Sequence, residues 1–205
     1  LYAQPIQDAS GNGYYEILSR MRCGNSIITP DRFIPLIAQF NLSQRFDMQV
    51  LETLFSTAHQ YPGMHFSVNL MPYTLMQNDS AAQIISLFKR YNLSPEMITI
   101  EVTEEQAFSD VEISLHNIHL LRNFGCSIAI DDFGTGYCSL AYLPRLQVAT
   151  LKLDRSFTQG LACNTATTAI VRSVIGLGHE LGIRITAEGV ETPEQQLWLT
   201  EAGCD

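Results

Sequence analysis

Residues 111–133 read VEISLHNIHLLRNFGCSIAIDDF. Val111 to Phe124 has a helical period. Ser127 to Phe133 is a short run that stays apolar until its carboxyl end, where Asp131 and Asp132 stand side by side. The same helix-then-strand unit recurs along the chain. Further strands are expected at Leu1 to Ile6, Tyr14 to Met21, Phe66 to Met71, Ile98 to Thr103, Thr150 to Asp154 and Arg184 to Val190. Helical patterns fall at Pro30 to Phe40, Arg45 to Tyr61, Ser80 to Tyr91, Asn164 to Leu181 and Pro193 to Glu201, with Pro30 and Pro193 suited to a first helical turn. This alternation argues for an α/β protein with a mainly parallel sheet.

The first two strands differ from the rest. Only Asp8-Ala9-Ser10-Gly11-Asn12-Gly13 joins them, too short for a crossover helix, so they are expected to pair antiparallel. That makes seven expected strands, whereas a closed barrel of this type has about eight. The chain stops after a helix at Gly203-Cys204-Asp205, so the barrel reads as unfinished.

The bulk composition narrows the function. The 205 residues are 46% hydrophobic, enough for one sizeable core, so a single domain over 1–205 is expected. A formal net charge of −9 argues against a nucleic-acid polymer as partner, and a polyanionic ligand would need local cations. Cys23, Cys126, Cys138, Cys163 and Cys204 form no C-x-x-C pair and read as reduced thiols of a cytosolic domain. The best apolar stretch, Ala166 to Ile183, is broken by Arg172, His179 and Glu180, so no span is expected and the domain reads as soluble.

Polar residues gather at the strands' carboxyl ends. Strand two carries Glu16, strand three ends in Val68-Asn69, and strand four holds Glu101, Thr103 and Glu104. Strand five ends in Asp131-Asp132, strand six in Lys152-Leu153-Asp154, and strand seven in Glu188-Gly189-Val190-Glu191. One such acid alone would read as a helix cap or a solvated strand end. A succession of them points to the mouth where parallel barrels keep their chemistry.

So many carboxylates in one mouth cannot all stay ionised unaided: either several are protonated, or cations sit among them. Oxygen donors with one amide suit hard ions such as Mg²⁺ or Mn²⁺. The adjacent Asp131 and Asp132 suggest two ions, although neighbouring strand residues point to opposite faces unless the strand ends between them. Two such ions suit displacement at a phosphoryl group. Lys152 reads either as a neutralising salt bridge or as an ammonium that positions the attacking water and stabilises transition-state charge. Phe133-Gly134-Thr135-Gly136-Tyr137 reads as a loop of small residues that positions the Asp pair and gates the site, or as a plain tight turn.

Taken together, Asp131-Asp132-Phe133-Gly134-Thr135-Gly136-Tyr137, Leu151-Lys152-Leu153-Asp154-Arg155-Ser156-Phe157 and Ala187-Glu188-Gly189-Val190-Glu191-Thr192 resemble the EAL family of cyclic-di-GMP-specific phosphodiesterases. Phe33-Ile34-Pro35-Leu36 and Ser67-Val68-Asn69 add to the match, which runs from Gln4-Pro5-Ile6 to Gly203-Cys204-Asp205. The resemblance implies a (β/α)₈ TIM-like barrel with an antiparallel first strand, whose eighth strand is missing from this chain. It implies two Mg²⁺ or Mn²⁺ ions and hydrolysis of cyclic-di-GMP to linear pGpG in bacterial second-messenger signalling. By motif match, Glu16, Asn69, Glu101 and Asp131 would hold one metal, and Asp131 and Asp132 would reach the second. Lys152 and Glu188 would order and activate the water, Glu188 as general base. Gln4 and Arg20 match substrate-contacting positions. Glu104 would steady the loop after strand five, Asp154 would lie near the metals, and Glu191 would support the site. A cytoplasmic location, a sensor or GGDEF domain adjoining in a parent anchored in the inner membrane, and a homodimer fit this reading.

Two departures stand out. Glu16-Ile17-Leu18-Ser19-Arg20-Met21 has Ile where the family has Ala and Met where Trp is common, and a bulky Ile17 could tilt Glu16. The family also continues past Gly-Cys-Asp into a Gln-Gly-Tyr segment on strand eight. Ile17 and Met21 favour a rival reading, an EAL module that binds cyclic-di-GMP or a protein partner without turnover. The intact acids and loop favour the enzyme.

Overall fold

The computed structural model describes residues 1–8, 10–103, 111–135, 143–161 and 164–205. β1 (Tyr2–Gln7) and β2 (Gly13–Leu18) form the expected antiparallel hairpin, with Gln4 opposite Glu16. Asp8 shapes the turn: its Oδ1 accepts from the amides of Ser10 (2.8 Å) and Asn12 (2.9 Å), and Gly11 takes a φ of 82° that a Cβ would disfavour.

The remaining sheet is parallel. β5 (Phe66–Asn69), β6 (Ile98–Thr103), β7 (Ser127–Phe133), β8 (Thr150–Leu153) and β9 (Arg184–Ala187) follow β2 in the order β1-β2-β5-β6-β7-β8-β9. The seven strands curl into a partial barrel. Beyond β9, the amide of Asp205 donates to the Ile185 carbonyl at 2.9 Å and its Oδ2 accepts from Ile185 N at 2.8 Å.

The strand count needs correction. Strand two stops at Leu18 rather than Met21, and Met21 opens a separate ribbon of β3 (Met21–Cys23) and β4 (Ser26–Ile28). α1 (Pro30–Gln39) follows the ribbon, and its Phe33 and Ile37 pack with Met71 in a small satellite core.

Alternation along each strand separates two environments. Phe66, Val68, Ile100, Val102, Ile128, Ile130, Leu151 and Leu153 face outward into one apolar cluster. Opposite them lie α2 (Ser43–Ala58), α4 (Ser80–Tyr91), α5 (Val111–Phe124) and α8 (Thr165–Glu180), with Phe55 and Phe88 at 4.4 Å between ring centroids. Each fully buried side chain of this size stabilises by about 2 kcal/mol before entropy costs. The alternate residues (Ser67, Asn69, Glu101, Asp131, Lys152) therefore face the barrel interior. Among the described residues no helix is long and apolar enough to cross a membrane, and Cys23, Cys126 and Cys204 are unpaired thiols. Cys138 and Cys163 lie outside the described residues.

The segment after Asn69 is tied down from outside the barrel. Asp47 of α2 is buried, and its Oδ2 accepts from Met71 N (2.8 Å) and Thr74 Oγ1 (2.5 Å) on α3 (Pro72–Leu75). Burial outweighs these donors and pushes its pKa from 3.8 to about 7. The folded chain thus holds a proton there that the unfolded chain has released. This contribution to stability is present below about pH 4 and lost as pH rises through about 7. Asp47→Asn should flatten that slope, and the wild type should lose on the order of 3 kcal/mol more than the variant between pH 4 and 7.5. Urea unfolding of both proteins at the two pH values measures the difference; equal slopes would refute it.

Candidate active site

Because β2 and β5 to β9 run parallel, their carboxyl ends open on one side, and the polar residues collect there. The centre is Lys152, which is fully buried. Its Nζ lies 2.8 Å from Glu188 Oε1, 2.9 Å from Glu101 Oε2, 3.1 Å from Asp131 Oδ1 and 3.2 Å from Glu16 Oε2. Burying an ammonium costs several kcal/mol unless it is paired and hydrogen-bonded, and four carboxylates, three on β2, β6 and β7 and one just past the end of β9, answer that cost. Asn69 joins them, its Nδ2 donating to Glu16 Oε1 at 3.2 Å.

Protonation follows from this crowding. Burial works against charge on Lys152, but Glu101, Asp131, Glu16 and Glu188 outweigh it and hold its pKa above the usual range. Burial pushes Glu101 up to about 7; Lys152 opposes the rise, and Glu16 and Asp131 add to it. Glu188 is raised by burial and by Asp131 against the pull of Lys152. Asp132 is raised by burial, then by Asp131 and Asp154. Tyr14 shares the inward face of β2 with Glu16, and burial followed by the Glu101 charge drives its phenol to about 12. Sequence reasoning missed Tyr14, although its spacing two residues before Glu16 was the available signal.

The Asp pair reaches the site by a device other than the expected strand ending. The register slips between Ile130 and Phe133: Ile130 pairs with Leu151, but Phe133 pairs with Leu153, so β7 carries one extra residue. Asp132 sits at φ 54° in this bulge, a conformation that Asp tolerates better than most residues. Adjacent carboxylates thereby aim the same way, and Asp131, Asp132 and Glu188 offer oxygens within 4.8 Å of one another. Glu16, Glu101 and Asp131 form a second such group within the same limit.

Phe133 is buried in the strand, so the loop begins only at Gly134, which at φ 97° lies against the ring of Phe157. Glu104, Gly136 and Tyr137 lie outside the described residues.

A cavity of about 550 Å³ opens over the site and is lined by Gln4, Glu16, Asp131 and Glu188. Arg20 is not among its lining residues. Its Nη1 donates to the Ser19 carbonyl at 2.8 Å and its guanidinium lies 5.6 Å from the centre of the Tyr2 ring. Asp154 spends its carboxylate capping α7 (Arg155–Gly160), accepting from Ser156 N at 2.9 Å, although its charge still reaches Asp132. Glu191 is exposed and away from the cavity, contributing a backbone amide to Gln195 Oε1 at 2.8 Å. Ile17 does not disturb Glu16: it points to the opposite face of β2, buried in the apolar cluster against Val68 and the helices.

The chain matches the EAL domain model over residues 1–205. It is 51% identical over 207 residues to the probable cyclic di-GMP phosphodiesterase PdeA of Escherichia coli K12, covering 99% of this chain and 28% of that protein. It superposes on the PaMucR phosphodiesterase in complex with c-di-GMP with a TM-score of 0.92 at 34% identity, covering 99% of this chain and 85% of that one. For the calcium and cy-diGMP complex of Klebsiella pneumoniae BlrP1 the TM-score is 0.84 at 29% identity, over 98% and 51% of the two chains. The chain belongs to the EAL domain family.

Proposed function

We propose that this chain is a metal-dependent phosphodiesterase that hydrolyses cyclic-di-GMP to linear pGpG. The observation that carries the reading is the buried Lys152 ringed by Glu16, Glu101, Asp131 and Glu188, with Asp132 turned into the same mouth by the β7 bulge. The named activities of the PdeA and PaMucR relatives support the substrate. The donor set fits hard divalent ions. Glu101 Oε1 is buried and finds no hydrogen-bond partner among the described residues, and the donors are oxygens throughout. Glu16, Asn69, Glu101 and Asp131 would hold one Mg²⁺ or Mn²⁺, and Asp131 and Asp132 a second. Bound there, the ions would polarise phosphoryl oxygens and make a water more acidic.

The chain's own groups do the rest. Glu188 takes the proton from the attacking water as its oxygen bonds to phosphorus. The phosphorus bond to the leaving sugar oxygen breaks, and that oxygen takes a proton from solvent while Glu188 later releases the one it took from water. Lys152, locked by four partners, presents fixed positive charge to the developing anion. Gln4 contacts the nucleotide from the cavity wall, and Arg20 does so after leaving its bond to Ser19. Residues 1–205 act as one EAL-type domain on the cytoplasmic side, beside a sensor or GGDEF domain in a longer parent. The 28% share of PdeA that the chain spans is in keeping with such a parent.

The test is conversion of cyclic-di-GMP by the purified full-length protein with Mg²⁺ or Mn²⁺, pGpG being followed by chromatography. Full activity after exhaustive chelation would refute the metal. Nucleotide binding without metal-dependent product would establish a binding module instead.

A further inference from the structure

We propose that Thr158 is a positioning residue for Glu188, its hydroxyl fixing the backbone from which that carboxylate projects. The inference rests on the hydrolytic reading above, in which Glu188 takes the proton from water.

The β8–β9 ladder runs out just before Glu188. Leu153 pairs with Ala187, and the Glu188 amide makes one more bond, to the Leu153 carbonyl at 3.0 Å. β8 then turns into α7 at Arg155, so it offers no further strand amide to the Glu188 carbonyl. The missing donor comes from Thr158, whose Oγ1 donates to Glu188 O at 2.5 Å. A helical threonine ordinarily bonds a carbonyl of its own preceding turn. This one is 1% exposed and reaches across to the residue just past β9.

A second clasp acts through Gln195, the third residue of α9 (Pro193–Ala202). Its Nε2 donates to Thr158 O at 3.2 Å, while its Oε1 accepts from the amides of Glu191 (2.8 Å) and Thr192 (3.0 Å). Between the clasps lies Gly189, at φ 66°, where an added Cβ would come within 2.6 Å of Arg155 Cβ. The segment is therefore held on both sides and pressed against α7. The Glu188 side chain leaves this clamp to make the shortest of the four contacts to Lys152, 2.8 Å. A displacement of about 1 Å at a reacting group can cost up to a hundredfold in rate, so a bond that fixes the base's backbone affects turnover.

The experiment uses the full-length protein with cyclic-di-GMP and Mg²⁺, measuring kcat, KM and Tm. Thr158→Val keeps the shape and removes the donor; kcat should fall about tenfold with KM within about twofold, well below the variant's Tm. Thr158→Ser keeps a hydroxyl and should restore most of the rate. Gln195→Met, should the valine variant fold poorly, is expected to lower kcat severalfold by loosening the other clasp. In a Glu188→Gln background, Thr158→Val should change kcat less than about twofold, because the two act through one group. An active wild type whose Thr158→Val variant loses Tm but not kcat would overturn the proposal. So would a serine variant as slow as the valine one, or an undiminished effect in the Glu188→Gln background. A wild type that binds the nucleotide without cleaving it overturns the hydrolytic reading and this role together, a result distinct from those three.

Discussion

Glu188→Gln is expected to cut turnover of cyclic-di-GMP by about a hundredfold or more, the usual scale for losing a general base. The substitution keeps the size of the side chain and a hydrogen-bonding oxygen for Lys152, so the frame around the site stays in place. What it removes is the ability to take a proton from water. Glu188 is suited to that task because burial and Asp131 raise its pKa above the ordinary carboxylate value while Lys152 holds the rise in check. Nucleotide affinity should largely persist. Kinetics under substrate saturation, with calorimetric binding of the nucleotide, separate the two effects. A variant that turns over at the wild-type rate would remove Glu188 from the chemistry.

Lys152→Met should have the largest effect on stability. Methionine fills a similar volume, so the loss is mainly of charge. Glu101, fully buried, would face Glu16, Asp131 and Glu188 with no cation among them. Removing one partner of a buried ionic cluster costs about 3–5 kcal/mol. The pH dependence has a definite sign. The folded pKa of Glu101 is already about 7 against an ordinary 4.5, and Lys152 is its largest opposing influence, so the variant's value rises further. Stability is then retained below about pH 4.5, where folded and unfolded chains both hold the proton, and falls as pH rises through the folded pKa. Thermal unfolding at pH 5.5 and pH 8 should show a steeper loss in Lys152→Met than in the wild type. Parallel profiles would mean that Lys152 does not neutralise the ring.

Much of the site was legible because strand periodicity and the break from apolar to acidic residues share one physical origin. Glu101 follows Ile100 on the inward face, and Lys152 follows Leu151 in the same way, so each strand announced its own contribution. The antiparallel hairpin was legible from the shortness of the Asp8–Gly13 link. Other features depend on contacts between distant segments. The three-residue strands of the β3–β4 ribbon carry exposed residues with no alternation to read. Nothing in the order Ser19-Arg20 says that the guanidinium turns back onto its neighbour's carbonyl. The feared effect of Ile17 did not arise, because alternation sends it to the helix layer and away from Glu16. The clamp on Glu188 joins residues thirty positions apart and leaves no local trace.

The extra residue in β7 also restricts how this site can vary. Under the proposed hydrolytic function, position 132 answers two demands at once, a carboxylate for the metal and a left-handed backbone for geometry. Asparagine and glycine meet the second but forfeit the charge; glutamate keeps the charge but is strained by the backbone and places its oxygens one methylene further out. Only Asp131 and Asp132 lie between Ile130 and Phe133, so deleting either one would straighten the ladder and leave a single acid at the mouth. Mutational drift at this spot thus meets few neutral neighbours, and a designer moving these two acids to another barrel must move the irregularity with them.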